Sequence, residues 1–73
     1  YLKIHPRDQE KNKELLFRGE RMYEEFTGED RKIIGEALTQ FEAILNKQDK
    51  DMIEQARKEL KEVLDEIETD ELF

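Results

Sequence analysis

Apolar residues recur at helical spacing in three separate segments, and this pattern constrains the fold more than any other feature of the chain. Within each segment they fall at i, i+3, i+4 and i+7, so that one face of a helix is apolar and the remainder is charged. The three stripes consist of Leu15, Leu16, Gly19, Met22, Tyr23 and Phe26; of Ile34, Ala37, Leu38, Phe41, Ile44 and Leu45; and of Met52, Ile53, Ala56, Leu60, Val63, Leu64 and Ile67. Gly19 lies on the first stripe, where we expect it to let a neighbouring helix come close.

Two short breaks separate the stripes. In the first, Gly28 can adopt the left-handed conformation and Thr27 can cap a helix. In the second, Asp49 is a good N-cap for the segment that follows. Connections of only a few residues make consecutive helices antiparallel neighbours. Pro6 suits the first turn of the first helix, because the N–H that proline lacks would be unpaired there.

These signals predict an all-α fold, an antiparallel three-helix bundle with helices at about residues 6–26, 29–46 and 50–68. Residues 1–73 form a single domain in this interpretation, and we expect the acidic run at 68–71 to fray. On the outer faces, the spacing predicts ion pairs of Lys58 with Glu54 and of Glu62 with Lys58 or Lys61.

Composition limits the kinds of partner and compartment. Charged residues make up 45% of the chain, close to a disordered composition, but the helical spacing of the apolar residues argues for a folded bundle. A net charge of −7 argues against nucleic acid and anionic membranes as partners. The absence of cysteine excludes disulfides and thiolate zinc sites and suits the cytoplasm. Since the chain begins at Tyr1, we expect it to be part of a longer polypeptide.

Residue types that carry chemistry are sparse. His5 is the only histidine, and we expect it to be an ordinary exposed residue. The segment 49–51 begins like a calcium-binding loop but lacks the glycine and the final glutamate of that loop. Serine and cysteine, the two commonest nucleophiles, are both absent, and the three glycines are isolated. We therefore expect no catalytic, cofactor-binding or metal site, and no enzymatic activity in this chain.

Among the aromatic residues, Phe17 differs from the others. We assign Tyr23, Phe26 and Phe41 to the core because they lie on the stripes. Phe17 instead shares a face with the charged residues Lys13, Glu20, Arg21 and Glu24. It can be read either as a single exposed apolar residue, which is common, or as a docking contact.

The order of these features resembles the C-terminal helical lid of the seventy-kilodalton heat-shock chaperones, the DnaK family. The resemblance is carried by residues 30–50 (DRKIIGEALTQFEAILNKQDK) and by the MIEQA sequence at 52–56. Glu14-Leu15-Leu16 and Glu24-Glu25 match the end of the family's long lid helix. The opening LKIHPRD at residues 2–8 is most similar to the HscC branch. In all, the resemblance covers residues 2–67.

This resemblance implies that the chain is the C-terminal part of a longer chaperone of the stress response. The parent chain would carry an ATPase domain that binds ATP and ADP, and a β-sandwich that holds unfolded polypeptide. The lid would close over the peptide with ADP bound and move away with ATP. In DnaK, an acidic residue two places before the Leu-Leu pair and a histidine just after it help to latch the lid. Those positions here are Lys13 and Phe17, so we expect an apolar contact of Phe17 with the sandwich in place of a polar latch.

An alternative interpretation is a helical protein–protein interaction or self-association module. Its candidate contacts are apolar residues near the two ends of the chain, namely Leu2, Ile4, Leu72 and Phe73. Residues 11–14 have no apolar partner on the first stripe. We expect this segment to depend on the sandwich or on a neighbouring copy, and to be able to swap between protomers of a homodimer.

Overall fold

The computed structural model describes residues 5–72, including the side chains of that range except those of residue 7 and residues 70–72. A 3₁₀ turn at Pro6–Asp8 precedes three α-helices: α1 (Glu10–Glu25), α2 (Gly28–Lys47) and α3 (Lys50–Leu72). The helices pack against one another, so the predicted all-α three-helix bundle is confirmed. The bundle measures 44 × 19 × 18 Å along its principal axes.

The first helix begins later than the sequence predicted. Pro6 starts the 3₁₀ turn and not the α-helix, and the N–H groups of Asp8 and Gln9 donate to the carbonyls of His5 and Pro6. Gln9 is extended (φ −68°, ψ 137°), which ends the turn. The α-helical ladder starts only with the hydrogen bond from Lys13 N–H to the Gln9 carbonyl.

Both connections between helices are as short as predicted. In the first, Gly28 has a positive φ of 64°, as its position in the break indicated. Thr27 occupies the N-cap position, but its side chain makes no capping hydrogen bond. In the second, Gln48 is left-handed (φ 56°) and ends α2. Asp49 caps α3 as predicted, because its Oδ1 accepts a hydrogen bond of 3.1 Å from Met52 N–H.

The third helix is longer than the sequence predicted, which placed its end near residue 68, and the expected fraying of residues 68–71 stays a prediction. The backbone of α3 remains helical to Leu72. A tertiary contact holds Glu68, the first residue of this acidic run, because its carboxylate accepts hydrogen bonds from the guanidinium of Arg18 on α1.

A single core runs between the helices and is built from the predicted stripes. Among the side chains that the structure describes, eleven apolar residues are buried: Leu15, Met22, Ile34, Leu38, Phe41, Leu45, Ile53, Ala56, Leu60, Leu64 and Ile67. Phe26 is partly buried against them. Two stripe residues are more exposed than predicted, Met52 at 42% and Tyr23 at 37%. The ring of Tyr23 lies beside Gly35, and the Arg31 guanidinium stacks 4.4 Å from its centre.

Gly19 has the role that its place on the stripe predicted. A Cβ atom built at Gly19 would lie 2.4 Å from Cδ2 of Leu38, which is closer than carbon atoms can pack. The absence of a side chain at this position is therefore what allows α1 and α2 to approach each other here.

The start of α1 is held by a buried polar residue that the stripe analysis missed. Asn12 is fully buried, its Nδ2 donates to the Pro6 carbonyl at 2.9 Å, and its Oδ1 accepts from Arg57 Nη1 on α3 at 3.1 Å. These bonds support residues 11–14 from within the chain, and the expectation that the segment depends on another domain or on a second copy stays a prediction. An asparagine and the 3₁₀ turn hold the segment in place of apolar partners.

Candidate docking site

Phe17 lies on the outer surface of α1, as its charged neighbours predicted. Its side chain is 59% exposed, the largest exposure among the large apolar residues that the structure describes. Lys13, one helical turn earlier, places its Nζ 5.7 Å from the centre of the Phe17 ring. Lys13 and Phe17 therefore lie side by side and form one small surface, Lys13–Phe17.

Charges around this surface are well hydrated. Arg21, one turn after Phe17, reaches Glu25 at 4.0 Å, and both side chains are more than half exposed. Such a pair contributes little to stability. The cation beside Phe17 is also exposed, where a cation–π contact is worth about 0.5–1 kcal/mol. A partner could therefore cover the ring of Phe17 without breaking a strong internal contact.

Arg18, the residue after Phe17, fixes how α1 is rotated about its axis. Its Nη2 contacts Asp65 Oδ1 at 2.6 Å and also Glu68 Oε1, and its Nε donates to Glu68 Oε1 at 2.9 Å. Both acceptors lie on α3. With Arg18 directed at α3 and Leu15 in the core, Phe17 has to face outward. Arg18 is thus a positioning residue for the Lys13–Phe17 surface.

The charges of this link stabilise one another. Burial opposes the charged form of Arg18, but its hydrogen bonds with Glu68 and Asp65 outweigh that effect, and the pKa of Arg18 rises above its ordinary value. The pKa of Asp65 is lowered, chiefly by the hydrogen bond from Arg18 and then by the one from Lys61, whose Nζ is 3.0 Å away. Both groups are therefore held in their charged forms.

Sequence reasoning missed the Arg18 link. Helical spacing predicted pairs of Lys58 and Lys61 with Glu54 and Glu62, but among the described residues Lys61 pairs with Asp65 and Lys58 has no ion-pair partner within 4.0 Å. A signal was present, because Arg18 lies between Leu15 and Met22 on the same side of the helix. Its partners could be identified only once the register between α1 and α3 was known.

The remaining predicted positions are distributed over the molecule. Leu72 ends α3, and its side chain and Phe73 lie outside the described residues, as do Leu2 and Ile4. His5 was expected to be exposed, but it is half-buried. Its carbonyl accepts a hydrogen bond from Asp8 N–H at 2.8 Å.

Among the side chains that the structure describes within residues 5–72, no three of His, Asp or Glu are grouped so that they could hold a metal ion. Within the same range, no helix combines the length and the apolar composition that a membrane span requires.

Comparisons of this chain with protein-family models, with curated proteins and with solved structures found no match.

Proposed function

We propose that this chain is the C-terminal helical lid of a DnaK-like chaperone of the HscC type, and that it slows the escape of unfolded peptide from a β-sandwich domain. The lid acts by contact and has no enzymatic activity of its own. Docked and undocked states of the lid exchange, and nucleotide bound to the ATPase domain of the parent chain shifts their populations. The proposed setting is the cytoplasmic stress response, where ATP and ADP are cofactors of the parent chain and not of this segment.

The observation that carries this proposal is the exposed ring of Phe17. The resemblance places the family's latch histidine at this position, and the ring is exposed on α1 beside Lys13, which stands where the family has an acidic residue. A lysine and a phenylalanine cannot form the acid–histidine latch. They can form an apolar contact, which holds the lid by burying the ring against the sandwich.

An apolar latch should respond to salt differently from a polar one. Electrostatic contacts between exposed groups weaken as ionic strength rises, whereas burial of an aromatic ring does not. We therefore expect lid closure in this protein to persist at salt concentrations that would weaken a latch made of charges.

The experiment is a peptide-release assay in the parent chaperone. In the ADP state, Phe17→Ala should increase the dissociation rate of a fluorescent apolar peptide about tenfold, which corresponds to a lost contact of about 1.4 kcal/mol. In the ATP state, where the lid is undocked, the same substitution should change the rate little.

Ile33→Ala is the matched control. Ile33 is 44% exposed on α2, so this variant also removes an exposed apolar side chain, but from a helix that does not carry the proposed latch. It should leave the dissociation rate unchanged. Equal release from the wild type and from Phe17→Ala in the ADP state would contradict the proposal.

The alternative function, self-association through the apolar ends of the chain, stays a prediction. Its candidate contacts Leu2, Ile4, Leu72 and Phe73 have no described side chains. Sedimentation of the 73-residue chain separates the two functions. A monomer at micromolar concentration agrees with the lid, and a tight dimer agrees with the alternative.

A further inference from the structure

A groove between α1 and α3 has a charge opposite to that of the chain as a whole. Its volume is about 390 Å³, and the buried side chain of Leu15 forms part of its lining. Among its described lining residues are five cationic side chains, Lys11, Arg18, Arg57, Lys58 and Lys61, against the single carboxylate of Glu14. In the full sequence, acidic residues outnumber basic ones by 20 to 13. Cations are therefore concentrated at this groove.

Some of these cations are already paired and others are not. Asp65 and Glu68 engage Arg18, and Asp65 also engages Lys61. Arg57 donates to the amide oxygen of Asn12, which is a neutral acceptor, so its charge remains uncompensated. Lys11 and Lys58 have no ion-pair partner within 4.0 Å among the described residues. Three positive charges are thus free to attract a ligand.

The groove on the other side of α1 shows the contrast. Between α1 and α2, a shallower depression of about 890 Å³ is lined by Glu20, Glu24, Glu36 and Glu42, and Lys32 is the only cation among its described lining residues. The two sides of α1 therefore carry opposite charges. A charged segment that approaches the bundle is attracted to one side of α1 and repelled from the other, which fixes where it can bind.

We propose that the α1–α3 groove binds an acidic segment of a partner protein, one that carries carboxylates next to an aliphatic side chain. The carboxylates would pair with Lys11, Lys58 and the free N–H groups of Arg57, and the aliphatic side chain would pack on Leu15 and on the methylene stems of the lysines. A long polyanion such as nucleic acid fits less well, because it would extend from this small groove over a surface of the same sign. This inference goes beyond the lid function and does not depend on it.

The test uses the 73-residue chain and two labelled peptides. One contains glutamate and leucine, with the leucines at i, i+3 and i+4, and the other has lysine in place of every glutamate. By fluorescence anisotropy, the acidic peptide should bind saturably and more weakly as salt rises from about 0.05 to 0.5 M, while the lysine peptide should not bind in this groove.

Two variants with the same change in net charge locate the site. Lys11→Glu/Lys58→Glu reverses the charge at the two unpaired lysines of the groove and should weaken binding of the acidic peptide at least tenfold. Lys32→Glu/Lys50→Glu reverses the charge at two lysines outside the groove lining and should weaken binding of the acidic peptide less than about twofold. Circular dichroism of both variants verifies that the bundle is intact.

Four results would overturn the proposal. They are the absence of saturable binding of the acidic peptide, equal loss of binding in the two variants, tighter binding of a single-stranded oligonucleotide than of the peptide, and a dimer of the wild-type chain that Lys11→Glu/Lys58→Glu dissociates. In the last case the occupant of the groove is a second copy of the chain and not an acidic partner.

Discussion

At the residue scale, two glycines on facing helices show that the neighbouring side chain decides the effect of adding one methyl group. A Cβ at Gly19 would meet the buried Leu38 at 2.4 Å, whereas a Cβ at Gly35 would meet Cε1 of Tyr23 at 2.9 Å. Leu38 lies in the core and has little room to move. The ring of Tyr23 is partly exposed and can turn toward solvent.

Gly19→Ala should destabilise the protein, and Gly35→Ala should not. Alanine gains about 1 kcal/mol of helix propensity at either position. At Gly19, an overpacking cost of about 1–3 kcal/mol exceeds that gain, so we expect a net loss of up to about 2 kcal/mol in the free energy of unfolding. Urea unfolding of the two variants measures the difference. A Gly19→Ala variant as stable as Gly35→Ala would show that α1 and α2 are not in close contact at this point.

Two buried residues of α1, Gly19 and Asn12, differ in how far their roles could be predicted from the sequence. Gly19 could be assigned from the sequence because it stands on an apolar stripe. Asn12 could not, because an asparagine three residues before Leu15 looks like any other surface amide. Its burial depends on the Pro6 carbonyl and on Arg57, which are 6 and 45 positions away in the sequence.

At the scale of the elements, Arg18 joins α1 to the second half of α3. The stripes and the short breaks predicted the three helices, since both signals are local. They placed the start of α1 and the end of α3 wrongly, because those ends depend on tertiary contacts. Glu68 is helical and bonded to Arg18. That contact joins residues far apart in the sequence, so the local pattern of an acidic run does not reveal it.

Asp65→Asn should remove a pH-dependent part of the stability. Because the folded-state pKa of Asp65 is lowered from 3.8, its ionised form stabilises the folded state above that pH, and this contribution is lost as the pH falls through the lower folded pKa. At pH 7 the free energy of unfolding of the wild type should therefore be higher than that of Asp65→Asn. The difference should be about 1 kcal/mol or less, because the carboxylate is half exposed. The difference in stability should shrink as the pH falls below 3.8 and through the lower folded-state pKa.

Glu66→Gln is the control for this titration. Glu66 is an exposed neighbour on α3 without an ion-pair partner within 4.0 Å among the described residues. Chemical denaturation of the three proteins gives their free energies of unfolding at each pH. The difference from the wild type should decrease with falling pH for Asp65→Asn only. A difference in stability between the wild type and Asp65→Asn that does not change as Asp65 is protonated would mean that the charge of Asp65 does not stabilise the bundle.

At the scale of the whole molecule, α1 carries both proposed contacts. The Lys13–Phe17 surface lies on its outer face, and Lys11, Leu15 and Arg18 line the cationic groove on its α3 side. The sequence alone indicated the first surface, because a ring among charges on one helical face is a local pattern. It could not indicate the groove, because the lysines and arginines of α1 and α3 come together only after the helices have packed.

Both contacts therefore require that α1 be part of one cooperative core with α2 and α3, and native-state hydrogen exchange of the 73-residue chain tests this most directly. Interior amides of the three helices, such as those of Met22, Leu38 and Leu64, should exchange with a common opening free energy, because their side chains are buried in the same core. The result that would contradict the account is exchange of the α1 amides at an opening free energy more than about 1 kcal/mol below that of α2 and α3.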